Sequence, residues 1–557
     1  MKKTYFTTVF LFACTLFAAA QNSSSLNPTV QVTNAYVGRL LQADRPQQEP
    51  VVPDSLRHFD LDFDYTGFEN PYRGNSEFNP YFTDLELAPT VLSTKRFYLK
   101  AGAGFTMHPE LDFAWTVKQK GGFKMGVYAL GNAYWGQYAT VDNLSGSSLL
   151  PGSSDYSGYE GRAKAGIDAR ADWKKAQMLL NVNWDGVASK GQHWSSACRL
   201  LYNDVKADLK LFSNTGADAV TYWGAKLSFV HGKDAFRSTY TCNTRENSAA
   251  LDAFLGFNFN GGGSLEVGVE GNWANMTGES SLWGGDVVLT PRYYFATGQR
   301  LDLYAGLCVM LGFGDALYKP SNIGFFPSFG LSFKAVPDRL DIYLDTSMKG
   351  GVDNLRSLNL KYGYYADGRT LAMLRDMNAQ FGLKGNLAGK LRYDLSFGFD
   401  RTENASNLYV GMTDGGSPDS YCLSVLYGNV SKVYGNLSME GRFGSFHFDL
   451  DARYDSYIDT PAKGVTPPAL HLGCNLGYDV LDRIGINAGI SYASEYKCSE
   501  TYSTPSWADL HAGLKFKMTR SLGLYLDGHN LLGQSMQIAP LHVQKGIYLT
   551  GGIVLNF

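Results

Sequence analysis

Residues 301–313 read Leu301-Asp302-Leu303-Tyr304-Ala305-Gly306-Leu307-Cys308-Val309-Met310-Leu311-Gly312-Phe313. Every odd position carries an aliphatic or aromatic side chain, and the even positions carry a mixture of polar, small and sulfur-containing residues. Successive side chains of a β-strand point to opposite faces, so this period of two predicts a strand with one continuous apolar face. The stretch is also long enough to cross the hydrocarbon core of a membrane, which takes about 9–11 tilted strand residues.

The same alternation recurs along residues 96–557, for example at 265–270, 340–345, 391–400 and 446–455. A soluble β-sandwich alternates in the same way, so the connections have to distinguish the two architectures. Short connections are predicted at 118–122, 173–177, 213–218, 260–264, 296–300, 335–339, 388–390, 443–445, 480–483 and 519–521. Longer polar connections are predicted at 136–158, 232–247, 350–378, 401–430 and 495–506.

Short turns at one end and long loops at the other are typical of outer-membrane barrels. The connections predict an all-β protein, a transmembrane antiparallel barrel of about 22 strands formed by residues 96–557. Trp115, Trp135, Trp223, Trp273 and Tyr492 near strand ends fit the aromatic girdles of such a barrel. A barrel of this width has a lumen that its own wall side chains cannot fill, so something must occupy or gate it.

Composition excludes other classes of protein. Of 557 residues, 62 are glycine, 14% are aromatic and only 18% are charged. After position 20 the chain has no apolar run of the length that a membrane helix needs, about 20 residues. The net charge of −3 shows no basic excess, so nucleic acid is not expected as a partner.

The first 20 residues resemble a secretory signal peptide, with Lys2 and Lys3 before an apolar stretch at 9–20 and Gln21 as the predicted new N-terminus. Six cysteines remain after cleavage and no two lie close in sequence, so neither a metal knuckle nor a redox motif is present. They are open to two interpretations, as disulfide partners in an oxidising compartment or as small apolar side chains.

Residues 21–95 hold 7 of the 19 prolines, which predicts an extended periplasmic arm rather than a folded domain. One part of the arm alternates as a strand does, with an apolar and an acidic face formed by Phe59, Asp60, Leu61, Asp62, Phe63 and Asp64. We expect this segment to dock on the barrel, its carboxylates facing basic residues such as Lys174, Lys175, Arg339 and Arg483.

The C-terminal residues carry a resemblance to a known family. They read Gly523-Leu524-Tyr525-Leu526-Asp527-Gly528-His529-Asn530-Leu531-Leu532-Gly533, followed by a loop and an alternating strand that ends at Phe557. This resembles the last two strands of TonB-dependent receptors, and Phe557 resembles the recognition signal of barrels that are inserted into a bacterial outer membrane. Residues 30–36 of the arm and 97–104 of the first strand resemble a plug-less Bacteroidota branch of that superfamily.

The resemblance implies the outer membrane of a Gram-negative bacterium, contact with its lipid, and a role in transport or as a receptor. Receptors of this class carry a folded N-terminal plug, and residues 21–95 are too short and too rich in proline to form one. One extended segment of the arm consists of Thr29, Val30, Gln31, Val32 and Thr33. Such a segment could add as a strand to the sheet edge of TonB or of another periplasmic partner. The alternative is an ordinary linker.

Motifs for chemistry are lacking in the sequence. The nine histidines form no HExxH or HxH pattern, so no metal site, no cofactor and no catalytic residues are predicted. His447 with Asp449, or His511 with Asp509, could be proposed as a base, but lumen residues in water are the simpler interpretation.

Two functions remain open. In the first, the lumen passes or receives a ligand at a surface site formed by loops 136–158 and 401–430. In the second, the barrel is a non-transporting scaffold of an envelope complex such as the β-barrel assembly machinery, and its arm and loops contact other subunits or surface lipoproteins. An enzymatic function ranks third after these two.

Overall fold

The computed structural model describes residues 96–557, with gaps at 106, 142, 146–147, 152–154, 191–198, 214–219, 235–243, 261, 279–280, 297–299, 321–322, 338, 365, 367, 388, 413–420, 462–463, 481–482 and 545. The predicted signal peptide and arm, with their docking and TonB-contacting segments, lie outside the described residues. No helix among the described residues has the length and apolar character needed to cross a membrane.

One closed antiparallel barrel of 22 strands forms the body of the protein. Its strands are β1 (Phe97–Phe105), β2 (Glu110–Lys120), β3 (Phe123–Ala139), β6 (Asp155–Asp172), β7 (Ala176–Lys190), β8 (Arg199–Ser213), β9 (Thr221–Asp234), β10 (Arg245–Asn258), β11 (Ser264–Thr277), β12 (Ser281–Tyr294), β13 (Leu301–Gly314), β14 (Gly324–Val336), β15 (Leu340–Asp353), β16 (Ala372–Leu387), β17 (Leu391–Met412), β18 (Tyr421–Phe443), β19 (Phe446–Asp459), β21 (Leu470–Val480), β22 (Ile484–Ala493), β25 (Trp507–Lys517), β26 (Leu522–His529) and β29 (Tyr548–Asn556). Each pairs with the next, and β29 pairs with β1. The predicted fold class and strand number are confirmed.

Among the described residues, the connections between barrel strands hold the remaining elements. They are β4 (Asn143–Ser145), β5 (Ser148–Leu150), β20 (Val465–Thr466), β23 (Tyr496–Cys498), β24 (Ser503–Thr504), β27 (Met536–Ala539), β28 (His542–Gln544) and one helix, α1 (Leu355–Tyr362). All of them lie at one end of the barrel, and the predicted short turns lie at the other end together with both barrel termini. The short-turn end of an outer-membrane barrel faces the periplasm.

The predicted long connection at 401–430 is wrong in its bounds. Strands β17 and β18 continue to Met412 and from Tyr421, with Ala405 paired to Gly428. The polar run that suggested a loop is a β-bulge, where Asn404 adopts a positive φ of 60°. Beyond the membrane a hairpin needs no lipid-facing alternation, because its backbone groups pair with each other.

The outer surface of the barrel is apolar. Leu307, Leu311 and Phe313 are each at least 40% exposed, whereas Cys308 and Met310 between them are fully buried toward the lumen. Exposed tryptophans lie near strand ends at Trp135, Trp223 and Trp273, and exposed Trp115 is paired with Phe97 at the start of β1. A closed barrel with an apolar belt and aromatic residues at its rims spans a lipid bilayer, which places the protein in the outer membrane of a Gram-negative bacterium, as predicted.

Tyrosine side chains on the lumen face cover glycines of the neighbouring strand. The pairs are Tyr128 with Gly166, Tyr222 with Gly256, Tyr304 with Gly330, Tyr343 with Gly382, and Tyr434 with Gly398. A Cβ on Gly330 would lie 2.0 Å from the Tyr304 ring, so no other residue leaves space for that ring. These pairs explain part of the high glycine content, because a side chain on the glycine would occupy the space of the ring.

Candidate functional site: the closed mouth of the barrel and a histidine–aspartate cluster

The connection between β15 and β16, residues 354–371, folds inward at the long-loop end, and we call it the cap. It contains α1, which begins after Asn354, whose Oδ1 accepts a hydrogen bond of 3.0 Å from the Ser357 N–H. The Asn354 N–H donates in return to Ser357 Oγ at 2.7 Å. The helix ends at Gly363, where φ is 71°, a conformation that favours glycine.

Two apolar clusters hold the cap in the mouth of the barrel. Leu355 is 2% exposed and packs in a cluster with residues of β7, β8, β11 and β16, of the connection after β13 and of the cap itself, namely Val187, Leu200, Tyr202, Ala274, Met276, Met373, Ala316 and Leu371. Leu358 is 1% exposed and belongs to the second cluster, with Ala139, Val141, Leu149, Ala366, Ala372, Leu408, Val410, Leu423, Val425, Tyr427, Cys498, Leu541 and Val543. The helix therefore lies between side chains contributed by distant parts of the barrel wall.

Arg356 anchors the cap to acidic residues of the wall. Its Nη2 is 2.8 Å from Asp185 Oδ2, and its Nε is 3.2 Å from Asp204 Oδ2. The backbone N–H of Arg356 donates to Glu246 Oε1 at 2.9 Å, and the Tyr202 hydroxyl donates to the same oxygen at 2.5 Å. A buried carboxylate is costly without a cation or hydrogen-bond donors, so the closed cap supplies what these acids need.

A second arginine and a tyrosine extend the contact. Arg369 Nη2 is 2.7 Å from Asp234 Oδ2, and its Nη1 donates to Asn359 Oδ1 at 2.6 Å. Tyr364 donates to Glu160 on β6 and stacks on His542, with ring centroids 3.7 Å apart. Strands β6–β16 make up half of the closed ring, so the cap reaches from its own strands to the opposite wall.

Other connections complete the closure. Strand β28 pairs with β3, where Val543 lies opposite Ala139, and Gln537 Nε2 donates to the Leu149 carbonyl at 2.6 Å. Leu149 of β5 and Leu408 of β17 belong to the two segments, 136–158 and 401–430, that the sequence assigned to a surface ligand site, and both are buried in the closed mouth. The structure thus brings those two segments together, as part of the closed mouth.

Three potential metal ligands meet on the lumen wall near the same end. They are Asp509 and His511 on β25 and His529 at the end of β26, with ligand atoms all within 4.8 Å of one another. His529 Nδ1 is 3.7 Å from Asp509 Oδ2, and the two imidazole rings are 5.7 Å apart at 25°. The sequence paired His511 with Asp509, but His529 lies on the next strand, where spacing along one strand cannot reveal it.

Two neighbours orient this cluster. The Asn530 N–H donates to Asp509 Oδ1 at 2.6 Å, and His511 Nε2 lies 2.8 Å from Asn475 Oδ1. These contacts tie Asp509 to the backbone after β26 and His511 to β21.

Phe557, the residue that resembles an insertion signal, lies where the last strand β29 pairs with the first strand β1. Its N–H donates to the Phe97 carbonyl at 3.0 Å, and the Phe97 N–H donates to the Phe557 carbonyl at 2.8 Å. The two rings stack with centroids 4.6 Å apart. The short turns that contain Lys174, Lys175, Arg339 and Arg483, the basic residues proposed to receive the arm, lie at this same end.

Comparisons with known proteins agree on the fold. No protein-family model and no curated protein matches the chain. The ferric enterobactin receptor PfeA from Pseudomonas aeruginosa, solved with enterobactin, is 11% identical with a TM-score of 0.59, over 83% of this chain and 81% of that one. The siderophore receptor PirA from Acinetobacter baumannii is 10% identical with a TM-score of 0.57, over 83% and 80% of the two chains.

The FrpB iron transporter from Neisseria meningitidis is 10% identical with a TM-score of 0.60, over 84% of this chain and 82% of that one. At such low identity the likeness extends to the barrel architecture alone. The chain therefore has the barrel fold of outer-membrane siderophore and iron receptors.

Proposed function

We propose that the protein is a non-enzymatic transport or receptor barrel of the outer membrane, related to TonB-dependent receptors but without a folded plug, and closed at its mouth by the cap. Its fold is shared with proteins described as siderophore receptors and an iron transporter. The observation that carries the proposal is the set of ion pairs between Arg356 and the wall acids Asp185 and Asp204. A closure made by a loop can open while the barrel wall stays intact.

The proposal includes the N-terminal residues. Residues 1–20 serve as a signal peptide, and residues 21–95 form a periplasmic arm, as in the plug-less Bacteroidota branch. The apolar side chains Phe59, Leu61 and Phe63 contribute most of the docking energy, because each exposed ion pair made by the acidic face contributes only about 0–1 kcal/mol. Residues 29–33 are the segment that contacts TonB or another periplasmic partner.

Single-channel conductance tests the closure. The full-length protein in planar lipid bilayers is expected to be closed, and a variant in which residues 356–370 are replaced by a Gly-Ser linker is expected to conduct continuously. Removal of residues 22–95 from that variant should raise its conductance further if the arm occupies the lumen. If the barrel remains closed after the cap is replaced, the proposed gate is contradicted. If the conductance does not change after residues 22–95 are also removed, docking of the arm in the lumen is contradicted.

A scaffold role is the second candidate, and the apolar clusters favour it. Leu355 and Leu358 are as buried as core residues of a soluble domain, which is compatible with a permanently closed mouth. In this case the closed mouth and the arm bind subunits of an envelope complex such as the β-barrel assembly machinery, or surface lipoproteins. Affinity purification from native membranes separates the two functions, because a scaffold co-purifies with partners in fixed ratio and a transporter shows ligand-dependent conductance on its own.

A further inference from the structure

We propose that Asp509, His511 and His529 form a binding site for a divalent transition-metal ion in the lumen wall, just inside the closed mouth. The three side chains come from two neighbouring strands, and their potential ligand atoms lie within 4.8 Å of one another. Imidazole nitrogen with one carboxylate oxygen is a donor set that suits Zn²⁺, Co²⁺ and Ni²⁺ rather than Ca²⁺ or Mg²⁺.

The distances fit a site that tightens around an ion. Zinc bonds of about 2.0–2.2 Å place tetrahedral ligand atoms about 3.5 Å apart. The His529 Nδ1 to Asp509 Oδ2 distance of 3.7 Å is already close to this value. The ligand atom of His511 lies within 4.8 Å of the other two, so a small contraction of the cluster completes a set of three ligands and leaves a coordination position for water or for a group from a solute.

The surroundings prepare two of the three ligands. Nε2 of His511 lies 2.8 Å from Asn475 Oδ1, and the Asn530 N–H donates to Asp509 Oδ1 at 2.6 Å. Such contacts to the non-coordinating atoms of a ligand fix its orientation and raise its affinity for metal.

A glycine makes the orienting contact feasible. A Cβ on Gly489, on the strand between Asn475 and His511, would lie 2.3 Å from Asn475 Oδ1 and 2.4 Å from His511 Nε2. Any side chain at position 489 would therefore occupy the space in which the two groups meet.

Aromatic rings support the third ligand. His529 stacks on Tyr548 with centroids 5.0 Å apart, and Tyr548 in turn contacts the edge of His108 at 4.8 Å. These rings limit the rotation of His529, so that its Nδ1 stays directed toward Asp509.

Co²⁺ binding to the whole protein tests the site. The protein is purified in detergent with a tag that contains no histidine, and titrated with Co²⁺ while the visible d–d absorption is recorded. Isothermal titration with Zn²⁺ gives the stoichiometry. We expect one equivalent of either metal to bind, with H529Q and D509N each losing at least a hundredfold in affinity. Asn475→Ala should lose about tenfold to a hundredfold, because it removes only the orienting contact.

His447→Gln is the matched control, since His447 also projects from the barrel wall but lies outside the cluster. Heat-modifiable migration on denaturing gels verifies that every variant is folded. Absence of a d–d band at millimolar Co²⁺, or equal affinity in H529Q and the control, would overturn the metal site. Neither result depends on conductance, so the proposed transport function stands or fails separately.

Discussion

Arg356 and Asp185 are 171 positions apart in the chain, yet Nη2 of the arginine lies 2.8 Å from Oδ2 of the aspartate. The arginine belongs to the cap and the aspartate to β7. The contact can exist only while the cap is folded into the mouth, so it reports directly on closure. Both side chains are largely buried, at 14% and 10% exposure, and each would be costly to leave without a counter-charge.

Replacing Arg356 with alanine should therefore open the cap. The change removes the cation that faces Asp185 and Asp204, and loss of one partner of a buried pair costs about 3–5 kcal/mol. Hydrogen exchange over residues 354–371 should rise by at least tenfold, while exchange in the barrel strands stays slow. Arg392→Ala is the control, because that arginine is 73% exposed and should change little. Equal exchange in the two variants would contradict an anchoring role.

Cys498 offers a chemical probe of the same closure. It lies in the cluster that contains Leu358, outside the membrane-spanning strands, and burial raises the pKa of its thiol to about 12. The thiolate is the reactive form, so N-ethylmaleimide at pH 8 should leave Cys498 unmodified in the closed protein. Peptide mapping by mass spectrometry should detect rapid modification once both Arg356 and Arg369 are replaced with alanine.

The raised pKa of the Cys498 thiol also makes the stability of the closed mouth depend on pH. The unfolded thiol has a pKa near the reference value of 9.0, so the folded state binds the proton more tightly. Stability from burying the neutral thiol is present below pH 9 and is lost as the pH rises toward 12. Cap opening, followed by proteolysis near residue 498, should increase across this range, and Cys498→Ala should lose this component of the dependence.

The tyrosine–glycine pairs of the wall should tolerate no added side chain. Gly330→Val would force the Tyr304 ring out of its position, since a Cβ there would lie 2.0 Å from Cε1 of the ring. Overpacking of this kind costs about 1–3 kcal/mol. We expect a lower urea midpoint for the loss of heat-modifiable migration. Gly268→Val is a matched control, because the nearest atom to its Cβ would be 3.6 Å away.

Phe557 should matter for insertion more than for stability of the finished barrel. Its ring stacks on Phe97 at 4.6 Å but remains 59% exposed, so Phe557→Ala should lower the unfolding free energy by about 1 kcal/mol or less. Its resemblance to an assembly signal predicts a larger effect in cells, with severalfold less folded protein in the outer membrane. Phe397→Ala, which removes another exposed outer ring, controls for the loss of apolar surface. Equal membrane levels of the two variants would argue against the signal.

The architecture was predictable because one physical rule acts on every strand. Lipid requires an apolar side chain at every second position, and this requirement is visible in residues 301–313. The rule does not apply outside the hydrocarbon region, which is why the sequence predicts a loop at 401–430 where β17 and β18 continue. The helix left weaker signals, namely Asn354 three positions before Ser357 and Gly363 at its end.

The site was less predictable, because its parts are distant in sequence. Nothing near Arg356 indicates that its partners are Asp185, Asp204 and Glu246, which become neighbours only when the barrel closes. Similarly, Asp509 and His511 share a strand, whereas His529 joins them through the register of β25 with β26. Such constellations depend on strand pairing and loop direction, which periodicity alone does not specify.

The pairing of β1 with β29 sets the order of events during biogenesis. The ring cannot be completed until the last nine strand residues, Tyr548–Asn556, have been synthesised and delivered. Until then both Phe97–Phe105 and the most recently made strand present unpaired backbone edges, which are prone to aggregate. We therefore expect a variant that lacks Tyr548–Asn556 to be degraded rather than inserted.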